Sequence, residues 1–180
     1  MRQIPNALSV LRAFLAVPVV LSLRAGRDGA ALLLVVVALA TDALDGYLAR
    51  RFQWTSRAGH VLDPVADKVL AAALALSLWA WRDLPGWFLL VVIGRDLLLL
   101  LGGAIVTGRT GTVPASTLPG KIAFTALGAV FVVWLLGIRP LFGPALVAGT
   151  ALLLLSLVLY GTAFFRRSER PRRGGSGKIP

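Results

Sequence analysis

Six apolar runs, each close to the length of one bilayer crossing, dominate the chain: roughly 7–23, 29–48, 61–81, 86–106, 119–137 and 142–165, divided by glycine, proline and charge. A crossing needs about 20 predominantly apolar residues, so these runs and their turns consume most of the 180 residues. Apolar residues make up 57% of the chain and charged ones 15%, against about 45–50% and about 25% in ordinary soluble domains. That leaves too little polar surface to coat a globule. The pattern predicts an all-α fold, a polytopic, six-transmembrane-helix bundle over 1–165 with a cytoplasm-facing active-site cavity. A basic, disordered cytoplasmic tail over 166–180 is expected to follow. A large transporter with two repeated halves does not fit, nor does a soluble enzyme domain on an anchor. The stretch from Met1 to Leu23 has the outline of a cleaved signal, but Arg12 interrupts it and no clean small-residue cleavage site follows.

The net charge of +11 raises the question of nucleic acid, and its distribution favours membrane topology instead. Arg2, Arg50, Arg51, Arg57, Arg109, Lys121 and the basic residues from Arg166 to Lys178 fall on one side of the expected bundle, while only Arg24, Arg27, Arg82 and Arg139 fall on the other. The positive-inside rule then places both termini in the cytoplasm. Trp79, Trp81, Trp87 and Trp134 lie near the outer loops and read as an interfacial belt. The tail basic residues serve either as a topology signal or as attraction to anionic head groups.

Four of the eight acids, Asp42, Asp45, Asp63 and Asp67, sit where the second run ends and the third begins. Each aspartate near a bilayer centre costs about 2.5–3.5 kcal/mol on the insertion scale, less towards the interface. Residues three or four apart share a helix face, so two antiparallel helices would bring both pairs to one cavity at one depth. Four adjacent carboxylates cannot all stay ionised without counter-charge. With no cysteine in the chain, oxygen ligation favours hard cations, and two divalent ions would balance the four charges. Such a pair is the usual clamp for displacement at phosphorus. Gly46 and Gly59 each stand one turn from an acid, where the missing side chain lets a ligand approach the backbone, although glycine also serves helix packing in lipid. Arg50, one turn beyond Gly46, is placed to hold a phosphate oxygen.

Residues 42–67 read DALDGYLARRFQWTSRAGHVLDPVAD, of the form D-x2-D-G-x2-A-R-x8-G-x3-D-x3-D. This resembles the signature of the CDP-alcohol phosphatidyltransferases at all eight fixed positions. The opening P-N-A-L-S-V-L-R is similar to the start of phosphatidylglycerophosphate and cardiolipin synthases of that family. The resemblance implies that Asp42, Asp45 and Asp63 ligate two divalent cations, Mg²⁺ or Mn²⁺, and that Asp67 both touches the second metal and acts as general base. It implies that Gly46, Ala49 and Gly59 line the cytidine nucleotide and that Arg50 meets its phosphates. The implied reaction is attack by an alcohol on the lipid-linked phosphorus of CDP-diacylglycerol with release of CMP. A homodimer is also implied.

For the acceptor, the resemblance leaves glycerol 3-phosphate, giving phosphatidylglycerophosphate, or phosphatidylglycerol, giving cardiolipin. Arg12, Arg95, Arg109 and Lys121 are the candidate acceptor-binding residues. Arg95 adjoins Asp96 in mid-span, so it reads equally as half of an ion pair. Its segment lacks the R-E-x6-R pattern of many phosphatidylglycerophosphate synthases, with no second basic residue before Arg109, which keeps the cardiolipin alternative open. His60 reads as a hydrogen-bonding neighbour of the acids. Lys68, about 100° around the helix from Asp67, is expected to pair elsewhere than with the metals. A small ion-coupled transporter would also carry intramembrane acids, but nearer the midplane and at broken helices.

Overall fold

The computed structural model describes the backbone of residues 4–52, 59–110 and 118–168, with side chains over 11–41, 65–105 and 118–162. These residues form helices α1 (Ile4–Arg24), α2 (Asp28–Phe52), α3 (Gly59–Trp81), α4 (Gly86–Thr110), α5 (Leu118–Leu135) and α6 (Phe142–Ser168), with a 3₁₀ turn at Arg139–Leu141 before the last. No strand occurs among the described residues. Each apolar run of the sequence thus falls on one helix. The sixth helix includes Arg166, Arg167 and Ser168, which the sequence assigned to the tail; residues 169–180 lie outside the described set.

Helix ends show why the chain turns where it does. At the end of α1, Gly26 takes φ +75°, its N–H bonds to Leu23 O at 3.1 Å and the Arg27 N–H to Ser22 O at 2.8 Å. At the end of α5, Gly137 takes φ +65°, its N–H bonds to Trp134 O at 3.0 Å and the Ile138 N–H to Val133 O at 3.3 Å. Both are Schellman closures, which need a residue tolerant of the left-handed region. After α3, Asp83 takes φ 55°, a conformation that aspartate tolerates better than most residues.

These three turns meet at one end of the bundle. The Arg82 Nε donates to both Asp28 oxygens at 2.8 and 3.0 Å, and its Nη2 donates to Leu23 O at 3.1 Å. Arg82 O in turn accepts from Trp134 Nε1 at 2.9 Å. The ends of α1, α2, α3 and α5 are therefore fastened at a single residue. Hydrogen bonding to Asp28 raises the Arg82 guanidinium above its ordinary pKa, against the opposing effect of burial, so the fastening stays charged. Trp134 is 5% exposed and stacks on Phe142 with ring centroids 3.9 Å apart. It is thus a packed joint rather than the belt residue expected from the sequence, because its indole N–H finds a backbone acceptor inside the bundle. Trp79, Trp81 and Trp87 are exposed, as a belt requires.

From this end the helices run up and down. Buried stripes mesh along α1 (Arg12, Ala16, Val19, Leu23) and α3 (Ala66, Leu70, Leu74, Leu78), and α1 also packs on α2. Gly149 of α6 lies against Val130 of α5 and Phe88 of α4. Among the described residues, the segments Gly86–Ile105, Leu118–Leu135 and Arg139–Thr162 are long and apolar enough to cross a membrane. In α2 the apolar stretch with described side chains is Asp28–Thr41. Six helices are therefore present among the described residues; in α1, α2 and α3 the stretches whose side chains are described, 11–24, 28–41 and 65–81, are each shorter than one crossing. An apolar groove of about 120 Å³ lies between α5 and α6; the acid-lined cavity expected from the sequence falls on residues whose side chains lie outside the described set.

A β-carbon at position 149 would come within 2.7 Å of Val130 Cγ2. Gly149→Ala is expected to destabilise the protein by about 1–3 kcal/mol, the usual cost of overpacking, read as a lowered melting temperature in detergent. An unchanged melting curve would mean that α5 and α6 separate at little cost.

Candidate active site

The acid pairs sit on helical backbone, Asp42 and Asp45 on α2, Asp63 and Asp67 on α3. The Asp28–Arg82 ion pair, 2.6 Å at its closest, fixes the relative depth of these two helices. Asp42 lies fourteen residues beyond Asp28, and Asp67 fifteen residues before Arg82. At about 1.5 Å per residue both stand about 21–22 Å from that bridge. Asp45 and Asp63 lie one turn further on. The two pairs are thus brought to a common level at the end opposite the fastening. The side chains of Asp42, Asp45, Gly46, Ala49, Arg50, Gly59, His60, Asp63 and Arg109 lie outside the described set.

Asp67 is described, and its carboxylate is engaged from α1. Arg12 Nη1 donates to Asp67 Oδ1 at 2.5 Å, with Arg12 3% and Asp67 25% exposed. The sequence raised Arg12 only as an acceptor-binding candidate and did not couple it to Asp67. The available signal was its register, since Arg12, Ala16, Val19 and Leu23 recur at helical spacing on one face. An arginine on such a face needs a partner.

A second polar group lies beside the first. Arg95 Nη1 meets Asp96 Oδ1 at 2.6 Å, and its Nη2 donates to Ser156 Oγ of α6 at 3.0 Å. Arg95 is 6% exposed and Asp96 13%. Lys68 Nζ donates to Asp96 O at 3.2 Å. Lys68 thus turns from its neighbour Asp67 to α4, as its angle around the helix predicted, and ties α3, α4 and α6 together near the acids. Ser156 carried no signal in the sequence beyond being a hydroxyl in an apolar run. Lys121 is exposed in the first turn of α5, next to Gly120, whose absent side chain leaves room for the Tyr160 ring.

The residue types suit a hard divalent cation, since four aspartates stand at a similar level along the backbones of α2 and α3 in a chain with no cysteine. No group of three potential ligands occurs among the described side chains, because three of the four acids lie outside them. Of the four aspartates Asp67 has a described side chain, and its carboxylate is 25% exposed.

Comparison with known proteins identifies a family. Residues 2–162 match the family described as CDP-alcohol phosphatidyltransferase. A CDP-diacylglycerol–glycerol-3-phosphate 3-phosphatidyltransferase of Bacillus subtilis is 37% identical over 50% of this chain and 46% of its own length. A protein of that same name from Aquifex aeolicus is 34% identical over 69% of each chain. A cardiolipin synthase (CMP-forming) of Streptomyces coelicolor is 34% identical over 74% of this chain and 66% of its own length. The chain thus spans less than half of the Bacillus relative and about two thirds of the other two.

Proposed function

We propose that this chain, which belongs to the CDP-alcohol phosphatidyltransferase family, transfers the phosphatidyl group of CDP-diacylglycerol to glycerol 3-phosphate, releasing CMP and forming phosphatidylglycerophosphate. The observation that carries the reading is the common level of the two acid pairs on α2 and α3, set by the Asp28–Arg82 bridge. Asp42, Asp45, Asp63 and Asp67 would hold two divalent cations, Mg²⁺ or Mn²⁺, which when bound screen the pyrophosphate and stabilise the leaving phosphate. Asp67 takes the proton of the acceptor hydroxyl as its oxygen attacks phosphorus. Arg50 meets the nucleotide phosphates, and Gly46, Ala49 and Gly59 give the nucleotide a surface without bulky side chains. Lys121 and Arg109, at the two ends of the α4–α5 connection, are the acceptor-phosphate candidates on the same side. Six crossings, a cytoplasmic site between cytoplasmic termini and a homodimer complete the proposal.

A carrier is a poorer reading, since carriers bind at interrupted helices, whereas α2 and α3 are continuous through all four acids. Cardiolipin synthesis from phosphatidylglycerol is the second reading, favoured by the Streptomyces relative's name and by the missing second arginine after Arg95. The deciding experiment gives purified protein CDP-diacylglycerol with glycerol 3-phosphate, phosphatidylglycerol, inositol phosphate or serine, and follows CMP and the lipid product. Turnover is expected with glycerol 3-phosphate. Turnover with phosphatidylglycerol alone would establish the second reading, and no CMP release with any acceptor would refute both.

A further inference from the structure

We propose that Arg12 is a positioning residue for Asp67, holding from α1 the carboxylate that takes the acceptor proton; this rests on the role given to Asp67 above. Arg12 is the first described residue of the buried stripe of α1 that continues through Ala16, Val19 and Leu23. On α3 the matching stripe runs from Leu78 through Leu74 and Leu70 to the turn carrying Asp67. Among the described side chains the α1–α3 interface is thus apolar from Leu23 and Leu78 as far as the charged pair Arg12 with Asp67.

That pair is a poor device for holding two helices together. Exchanging a buried ion pair for packed apolar residues is often neutral or stabilising, and apolar residues already fill this interface from Leu23 and Leu78 as far as the pair. The asymmetry of exposure gives it another use. Arg12 is enclosed at 3% while Asp67 is 25% exposed, so a substrate reaches the carboxylate more readily than the guanidinium behind it. Arg12 therefore acts on the reaction by fixing where the carboxylate stands, and it does not bind the acceptor. Arginine suits this because its planar fork constrains a carboxylate in direction as well as distance, which a lysine ammonium does not.

The test uses the full chain in detergent or nanodiscs, with Arg12→Gln and Arg12→Lys assayed for kcat and for KM of both substrates, and with melting curves to establish folding. Arg12→Gln is expected to lower kcat by about 10²-fold, the scale of a small misplacement of a catalytic group, with each KM changed less than about threefold. Arg12→Lys is expected to lie between, at about a tenfold loss. In an Asp67→Asn background, Arg12→Gln should change the residual rate by less than about twofold, since the two act as one unit. A raised acceptor KM at unchanged kcat would show direct binding and overturn the proposal. Wild-type kcat in Arg12→Lys, or multiplying losses in the double variant, would overturn it as well. Should Arg12→Gln not fold, the kcat and KM of Arg12→Lys decide alone. An active Asp67→Asn would instead remove the base assignment itself, an outcome distinct from any failure of Arg12 to matter.

Discussion

Asp67→Asn is expected to slow turnover by about 10²–10⁴-fold, the usual scale for loss of a general base, and added metal should not restore it. Asparagine keeps the size and one oxygen of aspartate but cannot accept the proton. Asp45→Asn and Asp63→Asn should also lose activity, for a different reason, because they weaken a ligand set. A weakened metal affinity is offset by mass action, so part of their activity should return as Mn²⁺ is raised. Titrating Mn²⁺ against each variant with CMP release as the readout separates the two behaviours. If Asp67→Asn recovers as fully as the others, Asp67 is a ligand only and the proton goes elsewhere.

Chelation with excess EDTA is expected to reduce turnover by about 10²-fold or more, since metal assistance at phosphorus supplies several kcal/mol of transition-state stabilisation. Helix content by circular dichroism should be unchanged. The reason lies in where the packing is: the apolar stripes of α1 and α3 and the Arg82 joint hold the bundle at a distance from the four acids. Activity should return with Mg²⁺ or Mn²⁺. Full turnover in EDTA would refute the two-cation reading, and loss of helix content would mean that the cations are structural.

The helices were legible in the sequence because apolar runs bounded by glycine and proline have few alternatives. Their ends were less so. The first helix already includes Ile4, Pro5 and Asn6, ahead of the run that starts at residue 7, since proline is tolerated in a helix's first turn. Helix α5 stops at Leu135, two residues early, because the closure at Gly137 takes the last carbonyls. For the site, spacing along the chain was enough to pair Asp42 with Asp45 and Asp63 with Asp67, since that follows from helical period alone. What spacing could not supply was contact between distant segments. Arg12 meets Asp67 across 55 positions, and Arg82 reaches Asp28 across 54. Both are consequences of which helix packs on which, and periodicity within a helix is silent about that. Trp134 was misplaced for the same reason, its partner Arg82 O being 52 positions away.

Arg82 makes the bundle a lever with a fixed fulcrum. Tight closures at Gly26, Asp83 and Gly137 and the bonds gathered by Arg82 restrain the helices at one end, and the acids lie about 21–28 Å along the arms. A tilt of about 5° about such a pivot moves the acid end by about 2 Å, while the pinned end barely shifts. Two ångströms is about the difference between a made and a broken coordination bond or hydrogen bond. The arms are therefore long enough that small rotations, too slight to unpack Leu74 from the core, change which groups at the far end are within reach of one another.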